Sequence, residues 1–514
     1  MLEARNLWEL VVLRAEATPD AQLGVDEEKR TISFSDLVGE AERAAAGLAR
    51  VGIGVDDVVS WQLPTWFESM VLVCALSRLG AVQNPMLPIY RQREVGFITR
   101  QAASALLVVP GTWRGFDYED LARSVAVERP GLKVLVADRA LPQGDASTLA
   151  PPPEPPSTPG DAPVRWVFYT SGTTADPKGA KHTDATIMAC AVGMSERLAL
   201  TPDDRAAMVF PFTHIGGITW LFASLLTGCT LIFLEAFDPK ATVELLQREE
   251  VTVAGAGTPF HMAYLAYQRE QGGASIFPHV RVFPGGGAPK PPQLHYDVKA
   301  EIGGVGIVSG YGLTEAPIVS MASVDDSDNV LAHTEGRATR GVDMRAITLD
   351  GRVAEFGEEG EIRVRAPQLM KGYLDSTLDA EAFDTEGYFR TGDLGRLDTM
   401  GNVVVTGRLK DIIVRNMENI SAKELEDLLF THPKVADVAV VGLPDTRTGE
   451  RACAVVVAED PADPPTLAEL CAALLEHGLM KQKLPEQLEL VDSLPRNPTG
   501  KVLKYELRAQ YAGA

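Results

Sequence analysis

Short apolar runs alternate with segments of helical spacing up to about residue 330, and this alternation most restricts the fold. Thr31-Ile-Ser-Phe34, Val55 to Leu63, Ala105 to Val109 and Val164 to Phe168 read as strands. Between them lie helical stretches. Leu7, Trp8, Val11 and Val12 fall on one face of a first helix spanning Leu7 to Glu16. Ser35 reads as the N-cap of a second helix through Leu37, Ala41, Ala44 and Leu48, which Gly52-Ile-Gly54 ends. Trp66 to Leu79 and Ala185 to Leu198 read as two more. Strands joined through helices pack as parallel sheets covered on both faces, so an α/β architecture of doubly wound sheets is predicted.

A chain of 514 residues is too long for one such core. Residues 141 to 163, with Pro-Pro-Pro-Glu-Pro-Pro, read as an exposed connection and not as a domain boundary. From Arg345 to Val404 the pattern changes to short alternating strands and glycine turns, a β-rich subdomain. It changes again in the last hundred residues. Glu424 to Phe430 and Leu467 to Glu476 read as helices, Val435 to Val441 and Ala452 to Ala458 as strands. A small α+β domain over 410–514, following a large one over 1–409, is expected, with the boundary near Lys410.

The strand ending at Phe168 runs into Tyr169-Thr-Ser-Gly-Thr-Thr-Ala-Asp-Pro-Lys178-Gly-Ala-Lys181-His182. Glycine allows close backbone approach to an anion, and the hydroxyls of Thr170, Ser171, Thr173 and Thr174 can donate to phosphate oxygens. The stretch is not a Walker A loop, because Gly-Lys-Ser/Thr occurs nowhere in the chain. Other clusters are weak one at a time. Phe210-Pro-Phe-Thr-His214-Ile-Gly-Gly217 sets one histidine before two glycines, where a structural role is the commoner outcome. Gly285-Gly-Gly-Ala-Pro289, Ser309-Gly-Tyr-Gly-Leu-Thr-Glu315, Tyr388-Phe-Arg-Thr-Gly-Asp393, Gly407-Arg408-Leu-Lys410-Asp411 and Pro495-Arg-Asn-Pro-Thr-Gly-Lys501 follow in turn.

Taken in order, these segments resemble the adenylate-forming superfamily of acyl-CoA synthetases, luciferases and peptide-synthetase adenylation domains, over about residues 5 to 508. The resemblance implies that ATP and a carboxylic acid form an acyl-adenylate, and that coenzyme A then takes the acyl group. Two anions must meet, so the chemistry is mainly charge neutralisation and alignment. By the same resemblance Ser171, Gly172, Thr173, Thr174 and Lys178 hold the β- and γ-phosphates, and Thr170 with Glu315 carries Mg²⁺, a cation that favours oxygen ligands. Gly286, Gly287, Ala288, Pro289 and Tyr311 flank the adenine, with Gly312 and Thr314 beside them. Asp393 binds the ribose diol, supported by Arg408. Lys501 bridges the attacking carboxylate and the α-phosphate. The small domain is implied to be mobile, turning about Lys410 so that residues 412 to 422 line a path for the thiol. His214 lies near the carboxylate, and His214, Gly217 and Gly312 belong to the acyl pocket.

Two positions depart from the family pattern. Ala175 stands where a glycine is usual, and Asn416-Met417 replaces a glycine pair near the thiol path. Met417 predicts a narrowed path or a different loop shape there. Gly312 matches the place where acetate-activating relatives carry tryptophan, so a larger acid is expected. No aspartate lies between residues 212 and 217 to hold an ammonium, which would be costly unpaired, and amino acids are disfavoured. Similarity of Gln62 to Trp66 and Asn84 to Arg91 to cyclohexanecarboxylate-type and fatty-acid-type bacterial ligases points to a medium-chain, alicyclic or steroid-derived acid. A carrier protein as acceptor, and a silent relative binding acyl or nucleotide ligands, are the alternatives.

The net charge of −22 argues against a nucleic-acid partner and requires local concentration of cations near anionic ligands. Five widely spaced cysteines with no Cys-x-x-Cys suit a reduced, cytoplasmic compartment and not zinc. Met70 to Val82 is too short to span a bilayer and contains Arg78, so no membrane span is expected. A homodimer is left open.

Overall fold

The computed structural model describes residues 1–170, 177–287, 290–415, 418–445, 447–497 and 500–512. Its first sheet has six strands in the order Lys178–Thr183, Val164–Thr170, Val82–Pro85, Val58–Trp61, Leu106–Val109 and Lys133–Val136. All neighbours run parallel except the hairpin of the first two. Alternate residues of these strands enter different cores. Leu106, Val108, Trp166 and Phe168 join the largest one, with helices Phe34–Arg50, Phe67–Leu79, Asp184–Leu198 and Ile215–Thr227. Leu107, Val109, Val167 and Tyr169 join a second core, with helices Gln92–Gln101 and Tyr118–Val127. Burial on both faces is what continuous apolar runs produce in a parallel sheet.

A second sheet, ordered Arg205–Met208, Thr230–Phe233, Gln22–Val25 and Thr31–Ser33, repeats this plan. Ala206 and Met208 face the large core, Ala207 and Val209 a third one. Bridges through Val253 lead on to the strands Phe283–Gly285, Ile307–Leu313, Ala316–Met321 and Arg337–Ala338. The expected doubly wound architecture is present. An antiparallel sheet of Asp343–Ile347, Gly360–Arg365, Phe389–Leu397 and Val403–Arg408 forms the β-rich part.

The last sheet starts at Ile412, four residues after the previous one ends. It comprises Glu418–Ser421, Ile412–Arg415, Gly449–Ala458 and Val435–Asp445, with Gln487–Leu490 beside Gly449–Ala458. Its two faces again feed separate cores: Val438 and Val440 pack with helices Ala422–Leu429 and Leu467–Glu476, while Ala439 and Val441 pack with Lys504–Tyr511.

Local expectations needed three corrections. Ser33, not Ser35, caps the second helix: its hydroxyl accepts from the Asp36 N–H, while Asp36 accepts the Ser33 N–H at 3.0 Å. That reciprocal pair satisfies two orphan donors at once, and Phe34 and Ser35 are already helical. The strand read as Val55 to Leu63 covers only Val58–Trp61, because Gly54 to Asp57 is a turn with Asp56 at φ 64° and Val55 exposed. Lys178 to His182, grouped above with the loop, belongs to a strand.

Candidate active site

The hairpin of the first sheet places Thr170 directly opposite Lys178. Ser171, Gly172, Thr173 and Thr174, and Ala175 with them, lie outside the described residues. Lys178 sits with its ammonium 5.5 Å from the centre of the Tyr373 ring. The Tyr373 hydroxyl in turn donates to Glu315 Oε1 at 2.8 Å. Burial, and then the Glu315 carboxylate, push that hydroxyl above its ordinary value, so it keeps its proton and remains a donor. His182 links the hairpin to the same region. It is fully buried, its Nε2 lies 2.9 Å from the Thr314 carbonyl oxygen and its Nδ1 3.0 Å from Thr186 Oγ1. A carbonyl only accepts, so Nε2 carries the proton. Burial pushes this imidazole down to about 4 and keeps it neutral.

His214 caps the helix Ile215–Thr227, its Nδ1 accepting the Gly216 N–H at 3.1 Å. Burial pushes its ring down to about 4 as well. That leaves a neutral ring with Nε2–H as its donor, near the edge of the Phe210 ring.

Asp393 is buried and held on both oxygens. Arg408 Nε lies 2.5 Å from Oδ1, and the Tyr311 hydroxyl donates to Oδ2 at 2.8 Å. Each oxygen has a further lone pair for another donor. Burial and the adjoining carboxylate hold the Tyr311 hydroxyl well above its ordinary value. Lys501 follows a loop closed by the Asn497 N–H on the Lys501 carbonyl and by Asn497 Oδ1 on the Lys501 N–H, both 2.9 Å. Burial first, then Arg408, pull the Lys501 ammonium down to about 8. Lys410 is lowered by the same two causes in the same order.

One cavity of about 780 Å³ brings these parts together. Thr170, Lys178, His214, Gly286, Gly287, Thr314, Glu315, Arg408, Lys410 and Lys501 all line it. A smaller cavity of about 230 Å³ shares Gly287, Gly312, Arg408, Lys410 and Lys501 with it and is also lined by Tyr311 and Asp393. Ala288, Pro289, Asn416 and Met417 are outside the described residues. The apolar residues Met194, Phe210, Ile215, Trp220, Pro317 and Met321 line the large cavity as well.

Two acyl-pocket expectations change. Gly217 does not line the cavity, whereas Gly216 does. A Cβ on Gly217 would stand 2.6 Å from the Phe212 carbonyl oxygen, so that glycine serves a close backbone approach. Gly312 does line the cavity, but a Cβ there would meet Ile318 N at 2.2 Å. Its missing side chain leaves room for the neighbouring strand and does not itself open a wall for the acid. Tyr373, and Gln368, whose amide donates to the carbonyl of the cavity-lining Ile318 at 3.0 Å, carry no sequence signal that marks them. An aromatic and an amide in a strand-rich segment look like ordinary packing.

Thr170 and Glu315 offer a hydroxyl and a carboxylate, which suit a hard divalent cation. Among the described residues no three His, Cys, Asp or Glu side chains cluster as a metal site. An ion completed by phosphates and water needs no such cluster.

The sequence model for AMP-binding enzymes matches residues 12–374, and that for the AMP-binding enzyme C-terminal domain matches residues 424–501. The chain is 32% identical to a medium-chain fatty-acid–CoA ligase of Escherichia coli over 96% of this chain and 88% of that one. It is 33% identical to a salicyl-AMP ligase / salicyl-S-ArCP synthetase of Mycobacterium tuberculosis, covering 92% of this chain and 84% of the relative. The crystal structure of ATP-bound MatB from Rhodopseudomonas palustris superposes with a TM-score of 0.88 at 27% identity, covering 99% of each chain. A fold of parallel sheets ending in a small α+β unit, a cavity ringed by these motifs, and family matches along most of its length lead to one assignment: the chain belongs to the AMP-binding enzymes, the adenylate-forming superfamily of acid ligases.

Proposed function

We propose that this adenylate-forming ligase is an acyl-CoA synthetase acting on an apolar carboxylic acid larger than acetate: medium-chain, alicyclic or steroid-derived. The supporting observation is the polarity of the large cavity. Lys178, Arg390, Arg408, Lys410 and Lys501 line it together with Glu315, Glu361 and Glu381, and the apolar Met194, Phe210, Ile215, Trp220, Pro317 and Met321 line it with the neutral His214. In a chain of net charge −22, such a concentration of cations suits a polyanion brought against a carboxylate. The apolar wall offers nothing to pair a second charge on the acid.

In the first step a carboxylate oxygen attacks the α-phosphorus of ATP, the bond to the β-phosphate oxygen breaks, and pyrophosphate leaves. Lys501 bridges the two anions. Their charge restores the proton affinity that burial lowers. Thr170, Lys178 and the loop between them hold the β- and γ-phosphates, Gly286, Gly287 and Tyr311 the adenine, and Asp393, set by Arg408 and Tyr311, the ribose. Thr170 and Glu315 would hold Mg²⁺, which would supply charge neutralisation to the phosphates. In the second step the domain 410–514 turns about Lys410, removing Lys501. The sulfur of coenzyme A, giving up its proton, then attacks the acyl carbonyl, the bond from that carbon to the phosphate oxygen breaks, and AMP departs. A cytoplasmic setting goes with this reading, as do the five unpaired thiols and the absence, among the described residues, of a helix long and apolar enough to cross a membrane.

The relatives divide over the acceptor, coenzyme A in one name and a carrier in another. The deciding experiment is acid-dependent pyrophosphate release over a panel of acids, with and without CoA. Release that CoA converts to a thioester supports the proposal. Release that CoA never converts points to a carrier-protein acceptor, and no release with any acid points to a silent relative.

A further inference from the structure

Lys290 is a buried lysine that the proposed reaction does not use. It is 6% exposed and lines neither of the two cavities. Its ammonium donates to the Leu331 carbonyl at 2.7 Å and to the Ala332 carbonyl at 2.6 Å. These bonds tie the chain just after Gly286 and Gly287 to the helix Asp328–His333. Burial pulls the ammonium down to about 8, and the charge that most opposes this is Glu335, two residues beyond the helix. An apolar side chain of similar volume would fill the place of a buried cation at less cost, so the pair calls for a role beyond stability.

Glu335 does line the smaller cavity, together with Gly287, Tyr311 and Asp393. Its backbone is held on both sides. The N–H donates to the Val403 carbonyl at 2.8 Å, and the carbonyl accepts from Ser320 Oγ at 3.0 Å. Ser320 is the strand partner of Tyr311, so Glu335 is set in register with the aromatic ring to which the proposed reaction gives the adenine. Burial pushes the Glu335 carboxyl above its ordinary range. Lys290, then Lys423 of the domain 410–514, and the Ser309 hydroxyl two residues before Tyr311 pull it back toward the charged form, against Asp427. Lys423 is itself paired with Asp427 at 2.6 Å. The cavity thus carries two acids of the large domain beside Tyr311, whose hydroxyl serves only Asp393. Asp393 belongs to the ribose. The other acid has no part in the reaction as written.

We propose that Glu335 reads the amino edge of the purine: its carboxylate accepts from the 6-amino group of adenine and repels the 6-oxo group of hypoxanthine or guanine. Lys290 is a positioning residue that acts through it, joining the glycine stretch to the segment that leads into Glu335. The inference rests on the adenylation reading and adds how the nucleotide is chosen. A carboxylate only accepts, so a 6-oxo purine both loses the bond and meets a like-charged oxygen. Sites built to bond one polar group reject the analogue lacking it far better than sites that sort by size.

The test is pyrophosphate release by the full chain with its best acid, comparing ATP with inosine triphosphate, in which a 6-oxo group replaces the amine. The parent should favour ATP by about a hundred-fold or more in kcat/KM. Glu335→Gln keeps the shape and supplies an amide that can donate to the 6-oxo oxygen. It should cut the preference about ten-fold while KM for the acid changes by less than about two-fold, a split that general damage would not produce. Lys290→Met should lower the preference in the same direction and add nothing in the Glu335→Gln background, because it acts through the same carboxylate. Should Glu335→Gln not fold, Glu335→Met removes acceptor and charge together and is held to the same fall. A parent that uses both nucleotides equally well overturns the inference. So does a Glu335→Gln variant that slows both by one factor, the result expected if Glu335 serves only to hold Lys423 and its domain. A parent that releases no pyrophosphate from ATP with any acid overturns the adenylation reading, and this inference falls with it.

Discussion

Lys501 has to be a cation in surroundings that disfavour one. Burial and Arg408 bring it down to about 8, so the free enzyme loses this charge as pH rises through that value. The kcat/KM for ATP in pyrophosphate release should therefore fall above about pH 8, and Lys501→Arg should move that limb out of range, because guanidinium stays protonated. Lys501→Ala should lower adenylation by about 10²–10³-fold, the usual loss for one charge-stabilising donor. It should leave thiolation of a supplied acyl-adenylate nearly intact, and equal loss of both steps would contradict a lysine that serves only the first. His182 shows the opposite case, a titratable group kept neutral for structure. Its folded-state value of about 4 lies below the 6.5 of an exposed imidazole. Between those values the unfolded chain binds a proton that the folded chain refuses. This contribution is thus present above about pH 6.5 and lost as pH falls toward 4, to the extent of about 3 kcal/mol. Urea unfolding of His182→Gln should show a smaller loss between pH 7 and 4.5 than the parent, whatever its stability at pH 7. An unchanged slope would show that His182 is not the group responsible.

At the scale of elements, two segments carry the site. Residues 370 to 374 strap the hairpin of Val164–Thr170 and Lys178–Thr183 to Glu315: Leu374 N–H donates to Gly179 O, Lys371 N–H to Lys181 O and Met370 N–H to Glu315 O, each at 2.8 Å. The loop before Lys501 is the other. Gly500 has φ 84°, and a Cβ there would stand 2.5 Å from Pro259 Cγ, at the start of the helix Thr258–Gln271. Gly500→Ala should therefore obstruct the docking of this loop against Pro259 and slow adenylation about ten-fold or more, the left-handed conformation alone costing about 1 kcal/mol. Thiolation of a supplied adenylate, for which Lys501 is not needed, should be spared, and measuring the two half-reactions separately decides the point. What could be read from the sequence follows from what each element exposes. Alternating apolar runs are legible because burial on both faces leaves no polar residue to break them. Lys178, Asp393, Arg408 and Lys501 stand out as charges among glycines and turns. Gln368 and Tyr373 stay hidden because their roles come from which distant carbonyl or carboxylate the fold sets beside them. Gly217 misled for the reverse reason: a glycine that admits a backbone looks, in sequence, like one that admits a ligand, whereas Gly312 admits a backbone and lines both cavities.

Over the whole molecule, the cores separate cleanly near Lys410. The two cores of the last sheet draw only on residues from Ile413 onward, and no other core of described residues contains one beyond Val405. Polar contacts such as Ser421 Oγ donating to Thr406 O at 2.6 Å join the two sides, along with the charges around the smaller cavity. Interfaces of that kind permit relative motion, whereas a shared apolar core would not. The proposed turn about Lys410 needs this division, and calorimetry tests it. The full chain should show two unfolding transitions, the smaller belonging to 410–514. In the proposed reaction Lys501 of the small unit meets a nucleotide held mainly by the large one, so saturating ATP should raise the smaller transition as well as the larger. A ligand at a hundred times its Kd adds about 2.7 kcal/mol to whatever folded unit it binds. In Lys501→Ala the rise of the smaller transition should shrink while that of the larger persists, because the small unit then loses its main contact with the nucleotide. One sharp transition with and without ATP would mean the two sides fold as a single unit, and the proposed turn would then have to be carried by a different boundary.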